Sequence, residues 1–365
     1  MKKARVIAMY LPQYHPIPEN DKTWGKGFTE WTNVVQARPL FNGHYQPRIP
    51  ADLGFYDLRL PEVREAQAEM ARLAGIEGFM YWHYWFGNGR VLLERPFQEV
   101  LAAGKPDFPF CLGWANHSWS TKTWTKGKNL GKDEMIMEQL YPGIDDYREH
   151  FYYVLSAFRD SRYLTVNGNP IFTIFDPLAI PDMSDFIRLW RKLANENGLK
   201  GIHFVALKNG RKSSVKSLLD MGFDAVNNRS MWEAEAAVVG SRIKRRLNSL
   251  LSWKMGLKVV KYEYKEVMKH LSTAEDYEEN VYPTILPGYD RTARAGVRAI
   301  IYENATPEYF AKHVEDVLHY VENKPQEKRI IFLKSWNEWG EGNYMEPDLK
   351  YGSKFLEALK AKVLG

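Results

Sequence analysis

Near the end of the chain stands Trp336-Asn337-Glu338-Trp339-Gly340-Glu341-Gly342, with two carboxyl groups three residues apart between tryptophans. Cleaving a glycosidic bond takes two such groups, one to protonate the leaving oxygen and one to serve the anomeric side. Neighbouring tryptophans would exclude water and could hold one carboxyl protonated near neutrality. Gly340 and Gly342 permit the tight turns that would aim both side chains into one site. Two solvent-exposed glutamates in a polar loop is the plainer reading, and the flanking tryptophans argue against it. Other residues suit a sugar: aromatic rings stack on C–H faces, and polar side chains bind hydroxyls. Tyr10, Gln13 and His15, then Glu30 and Trp31, lie early in the chain. Trp82 and Tyr84 follow, with Asn116 and Trp119 beyond them. Tyr289, Asp290, Arg291 and Arg294 form either a subsite or a salt-bridged loop. With Trp336 and Asn337, these residues are the expected substrate contacts around catalytic Glu338 and Glu341.

No cofactor is expected. The nine histidines show neither HxH nor HExxH spacing, so no metal site is read. No Asp-x-Asp motif is found, and Gly87-Asn88-Gly89 lacks the third glycine of a dinucleotide turn.

These residues need a scaffold. Short apolar, β-branched or aromatic runs occur at 5–14, 78–86, 108–114, 170–175, 203–207, 223–226, 282–286 and 329–335. Helical spacing fills 60–74, 144–156, 183–197, 211–221 and 307–321 between them. Strands alternating with helices imply a parallel sheet, and eight units imply an α/β fold, a single (β/α)8 TIM barrel. A doubly wound sheet would carry a glycine-rich turn after its first strand, where this chain has Leu11-Pro12-Gln13-Tyr14-His15. Such barrels run to about 250 residues, so insertions are expected after strands one (15–58) and six (228–281). One catalytic barrel over 1–365 is the expected domain, with 229–281 a basic, helical insertion.

Composition narrows the class. The 365 residues are 45% hydrophobic and 26% charged, which excludes disorder as the main state. Cys111 is the only cysteine, so no disulfide framework exists. No run of about 18 apolar residues offers a membrane span. MKKARVIAMYLPQYHPIPEN reads as a first strand rather than a signal peptide, so a reducing, cytoplasmic setting is expected. Ten of the twelve tryptophans fall in segments expected at one face: Trp24, Trp31, Trp82, Trp85, Trp114, Trp119, Trp124, Trp232, Trp336 and Trp339. The net charge of +5 is also local. Segment 241–270 carries nine Lys or Arg against Glu263 and Glu266, a net +7, which leaves −2 for the rest. A basic amphipathic stretch can lie on an anionic surface. One expectation is therefore peripheral contact with the inner membrane, near lipid-linked glycan; a solvated helix packed on the barrel is the other. Nucleic acid is not an expected partner.

Three motifs resemble one family: YLPQYHPIPENDKTWGKGFTEWTNV near the start, Pro287-Gly288-Tyr289-Asp290, and WNEWGEG. In this order they resemble the WbsX-like proteins of bacterial surface-polysaccharide gene clusters, which are similar in turn to family 99 glycoside hydrolases. The resemblance implies a (β/α)8 barrel and retaining, endo-α-mannosidase-type chemistry without a cofactor. It implies that Glu338 is the base on the sugar 2-hydroxyl, whose oxygen attacks the anomeric carbon to give a 1,2-anhydro intermediate. Glu341 is then the acid and afterwards the base. The chain departs from the hydrolases at Gly340, where they commonly hold histidine, and in its YLPQYH start. WbsX-like proteins have often been labelled glycosyltransferases. Transfer in O-antigen, capsule or lipopolysaccharide synthesis is the alternative to hydrolysis, and non-catalytic glycan binding is a third reading. The implied partner is an oligo- or polysaccharide, with a lipid-linked form among the options.

Overall fold

The computed structural model describes residues 2–121, 134–210, 213–241 and 259–365. Eight parallel strands form the barrel. β1 is Arg5–Tyr10, β2 Ile76–Trp85, β3 Phe110–Trp114 and β4 Asn169–Ile174. β5 is His203–Lys208, β6 Ala225–Asn228 and β8 Ile330–Leu333. β7 comes in two pieces, Val281–Tyr282 and Thr284–Ile285. Its first half pairs with β6 (Val226 opposite Val281) and its second half with β8 (Thr284 opposite Phe332). Pro283 between them has no N–H to give, but its carbonyl accepts from the Phe332 amide at 3.0 Å. The strand order then runs from β6 through β5, β4, β3, β2 and β1 to β8, and β7 closes the ring. The (β/α)8 barrel read from the sequence is the fold found.

Parallel neighbours need crossover connections. Pro61–Leu73, Arg95–Ala103, Ile144–Phe158, Met183–Glu196 and Val215–Asp220 follow β1 to β5. Met231–Val239, Pro307–Val321 and Lys354–Val363 follow β6 to β8. Their starts are legible: proline stands in the first turn of Pro61–Leu73 and Pro307–Val321, where no intrahelical N–H bond is lost. The helix expected over 211–221 begins only at Val215, because Ser214 caps it through a reciprocal bond with Ser217. Arg95–Ala103, also opened by a proline, was not among the expected helices.

Both long insertions sit at the C-terminal ends of the strands. The one after β1 holds the short helices Pro18–Trp24 and Glu30–Gln36. Segment 229–281 is mixed rather than wholly helical. Val260–Glu263 is a strand with alternating burial, paired in parallel with Ile300–Glu303, and Tyr264–Met268 is a helix. Most of the basic stretch, 242–258, lies outside the described residues, and with it the expected membrane-facing surface. Among the described residues, no helix is long and apolar enough to cross a membrane.

Candidate active site

The loop after β8 starts the site. Asn337–Glu338 pairs antiparallel with Asn343–Tyr344, and Trp339–Glu341 forms a single 3-10 turn between them. Gly342 closes the turn with φ of 60°, and a β-carbon there would lie 2.9–3.1 Å from Asp290 atoms, so only glycine fits. The turn presents Glu338 and Glu341 to a cavity of about 410 Å³ at the strand ends. Aromatic rings line it: Trp82, Tyr84, Trp119, Phe175, Trp232 and Tyr289. Charged groups line it with them: Glu338, Glu341, Arg294, Lys334, Arg229 and Glu235.

One guanidinium organises the carboxylates. Arg294 donates through Nε to Glu30 Oε1 at 2.9 Å and through Nη2 to Glu30 Oε2 at 3.1 Å. Its Nη2 also lies 3.0 Å from Glu338 Oε2, and its Nη1 3.0 Å from Glu341 Oε1. Glu30, from the insertion after β1, is wholly buried and fixes the fork from behind. This explains Gly340. A β-carbon there would sit 1.9 Å from Glu30 Oε1 and 2.9 Å from Arg294 Nε. The Glu30–Arg294 pair occupies the space a side chain would take. The departure from histidine noted in the sequence therefore belongs with this buried pair.

The two carboxyls differ in charge. Glu341 receives Lys334 Nζ at 3.1 Å on Oε2 and has Arg291 Nε 3.5 Å from Oε1, besides Arg294. Burial pushes its pKa up, but Lys334, Arg294 and Arg291 outweigh that and hold it well below the usual carboxylate range. Among the described residues Glu338 pairs only with Arg294, with Lys334 acting from further off, and its Oε2 makes no aligned hydrogen bond. Burial therefore dominates and raises it to about 7, with Arg294 opposing and ionised Glu341 reinforcing. Groups this close titrate as a pair. Around pH 7 Glu338 is the member of the pair that still carries a proton in part, and Glu341 is ionised. Lys334, immediately after β8, is itself pushed down by burial and supported by Glu341. Its Nζ also lies 4.8 Å from the centre of the Tyr289 ring.

Of the expected site residues, Gln13, Trp82, Tyr84, Trp119 and Tyr289 line the cavity with Glu338 and Glu341. Glu30 and Arg291 stand one layer behind, on Arg294 and Glu341. The others face elsewhere. Tyr10 donates to Gln67 Oε1 at 2.7 Å beneath the helix Pro61–Leu73. His15 is buried and held neutral by that burial, its pKa lowered to about 4. Trp31 donates to the Tyr56 carbonyl at 2.8 Å. Asn116 ties the Asp176 backbone at 2.8 Å. Asp290 is clasped by His44 and Gln46 at 2.9 and 2.7 Å. Trp336 packs on Phe79 in the core. Asn337 holds Leu11 through both amide groups, at 2.7 and 3.0 Å. These residues shape the loops without reaching the cavity.

The tryptophan reading needs the same correction. Among the described tryptophans only Trp82, Trp119 and Trp232 line the cavity. Trp85, Trp114, Trp336 and Trp339 are fully buried in packing, and Trp124 lies outside the described residues. For Trp85 and Trp114 the reason is strand alternation, in which successive side chains point to opposite faces; Trp336 and Trp339 lie in the loop after β8 and pack inward from it. Sequence reasoning passed over Arg229, Glu235 and Lys334. Two of them had a signal, since Arg229 and Lys334 are the first residues after β6 and β8. Among the described residues, no group of three or more His, Cys, Asp or Glu is arranged to hold a metal ion.

A family model described as Glycosyltransferase WbsX matches residues 6–359. The chain belongs to the WbsX glycosyltransferase family. Its three sequence motifs therefore lie in a WbsX-family chain, as their resemblance implied. Two proteins named WxcX, both uncharacterized, come from Xanthomonas campestris pv. campestris strains B100 and ATCC 33913. Each is 34% identical over 358 residues, which is 98% of this chain and 49% of the relative. The WbsX-family chain thus spans about half the length of the curated relatives it matches. Among solved structures, a GH99 endo-alpha-mannosidase from Bacteroides thetaiotaomicron is similar with a TM-score of 0.58 and 15% identity, covering 99% of this chain and 96% of that one. A glycoside hydrolase-like protein gives 0.60 and 14%, covering 100% and 94%. At these identities the likeness is one of fold.

Proposed function

We propose that this chain is a carbohydrate-active enzyme that cleaves or transfers α-linked, mannose-type glycosyl residues with retention. Supporting this is one observation above the rest. Glu338 and Glu341 each lie 3.0 Å from one arginine, Arg294, in a cavity lined by aromatic rings. Glu338 takes the proton of the sugar 2-hydroxyl, and that oxygen attacks the anomeric carbon to form the 1,2-anhydro sugar. Glu341 gives its proton to the departing oxygen. Glu341 then removes a proton from the incoming hydroxyl, which attacks the same carbon; the three-membered ring opens, and Glu338 returns the proton to the 2-oxygen.

These roles place the shared proton on Glu341 when substrate is bound, the reverse of the free site. Substrate supplies the bias for that swap. A hydroxyl donating to Glu338 favours its ionised form, and a glycosidic oxygen beside Glu341 favours a protonated partner.

A glycan screen with wild type, Glu338→Gln and Glu341→Gln tests the proposal. Activity should fall by about 10³-fold or more in each variant, with folding intact. Full activity in both would sink the mechanism. Transfer is the second reading, favoured by the family description, and product analysis separates a free reducing sugar from a new glycosidic bond.

A further inference from the structure

The charged lining of the cavity holds one cation more than the carboxylate pair engages. Arg229 directly follows β6 and lines the cavity. Its Nε and Nη1 are sealed from solvent and have no hydrogen-bond partner among the described residues. Among the described residues no carboxylate forms an ion pair with it. Its guanidinium lies 5.8 Å from the centre of the Phe175 ring. Arginine stays charged in proteins, and a buried charge without a partner is costly. Neighbouring cations are committed: Arg294 to Glu30 and the pair, Lys334 and Arg291 to Glu341. The remaining acids in this lining, Glu338 and Glu235, are both pushed up to about 7, chiefly by burial. Arg229 therefore draws its main electrostatic support from ionised Glu341, across a distance that makes no ion pair, and burial still lowers its pKa.

We propose that Arg229 is an anion subsite, placed to bind a carboxylate or phosphate group carried by the glycosyl substrate through the guanidinium edge that lines the cavity. A guanidinium fork matches both groups in geometry. The sugar half of the proposal rests on the glycosyl-transfer reading above; the anion half does not. A carboxylate would come from an acidic sugar within a polymer, a phosphate at the anomeric carbon from an activated donor. The shared chemistry is a planar or tetrahedral oxyanion in the cavity that Arg229 and Glu341 both line.

The test is a binding titration of the full chain, read by tryptophan fluorescence from the cavity wall. The probes are mannose, mannuronic acid, mannose 1-phosphate and inorganic phosphate. At least one anionic sugar should bind about tenfold more tightly than mannose. The tighter of the two identifies the source. Arg229→Gln should erase that preference, and Arg229→Lys should keep only part of it. Equal binding of neutral and anionic sugars to wild type overturns the subsite, as does a preference that survives Arg229→Gln. Should Arg229→Gln fail to fold, Arg229→Lys decides: an unchanged preference overturns the role of the fork, and a several-fold drop supports it. Phosphate binding that depends on Arg229, without binding of any sugar, supports the anion site and counts against the glycosyl reading instead.

Discussion

On β2, Trp82 and Tyr84 face the cavity, whereas His83 and Trp85 face the helix Ile144–Phe158. The two rows have nearly the same composition and different surroundings. On the outer side, Trp85 stacks on His150 with ring centres 4.7 Å apart, and His83 Nε2 meets His150 Nε2 at 2.8 Å. Trp114 and Trp190 complete that cluster, and their indole N–H groups donate to the carbonyls of Trp85 and Tyr147. Burial alone holds His83 neutral, lowered to about 3. On the inner side the rings border carboxylates, cations and open volume. Ring count therefore does not distinguish a cavity lining from a core. The presence of charged groups that packing leaves incompletely satisfied does.

The comparison can be broken from either side. The largest expected effect on the outer wall comes from Trp190→Ala. Losing a fully buried indole should cost about 3–5 kcal/mol of unfolding free energy in denaturant titration. If stability held, this cluster would not be the packed element described. Gly340→Ala attacks the inner wall without removing a charge. Its β-carbon displaces Glu30 from Arg294 and should lower activity about 100-fold through misplacement of the pair, in a protein that still melts cooperatively. Normal turnover would show that the Arg294 bridge is not needed. A smaller effect is expected from Trp82→Ala, about 1–2 kcal/mol of glycan affinity measured by calorimetry, with less loss of stability than at Trp190. An equal stability loss at both tryptophans would erase the distinction between the walls.

Acidity gives the gentlest test. The pair must hold one proton to act. Its upper apparent pKa lies near 7, because burial raises Glu338. Below that value the proton is present, and above it the pair becomes a dianion. The kcat/KM profile should therefore fall above about pH 7, roughly tenfold per unit. A flat profile to pH 9 would place the proton elsewhere.

Much of this was legible in the chain. The eight strand runs and most crossover helices follow from apolar periodicity and caps, so the barrel could be read before any coordinates. The acid pair could be read from its loop. Period two along each strand was also available and went unused. Met9, Leu11 and Gln13 share a parity and line the cavity, whereas Tyr10 between them does not. The same rule separates Trp82 from Trp85. Other features had no local signal. Glu30 and Arg294 are 264 residues apart in sequence, and their contact explains Gly340 only once the fold brings them together. Arg229 and Lys334 look like ordinary strand-end cations until their partners, or the lack of them, are seen. The break in β7 at Pro283 was hidden within one apolar run. The strand Val260–Glu263 was masked by the basic composition around it.

The most direct measurement is carboxyl titration of the free chain by ¹³C NMR with labelled glutamate, assigned through Glu338→Gln and Glu341→Gln. The account predicts one carboxyl, Glu338, titrating near 7 and the other ionised well below 4.5. Both groups titrating together near the ordinary glutamate value would contradict it.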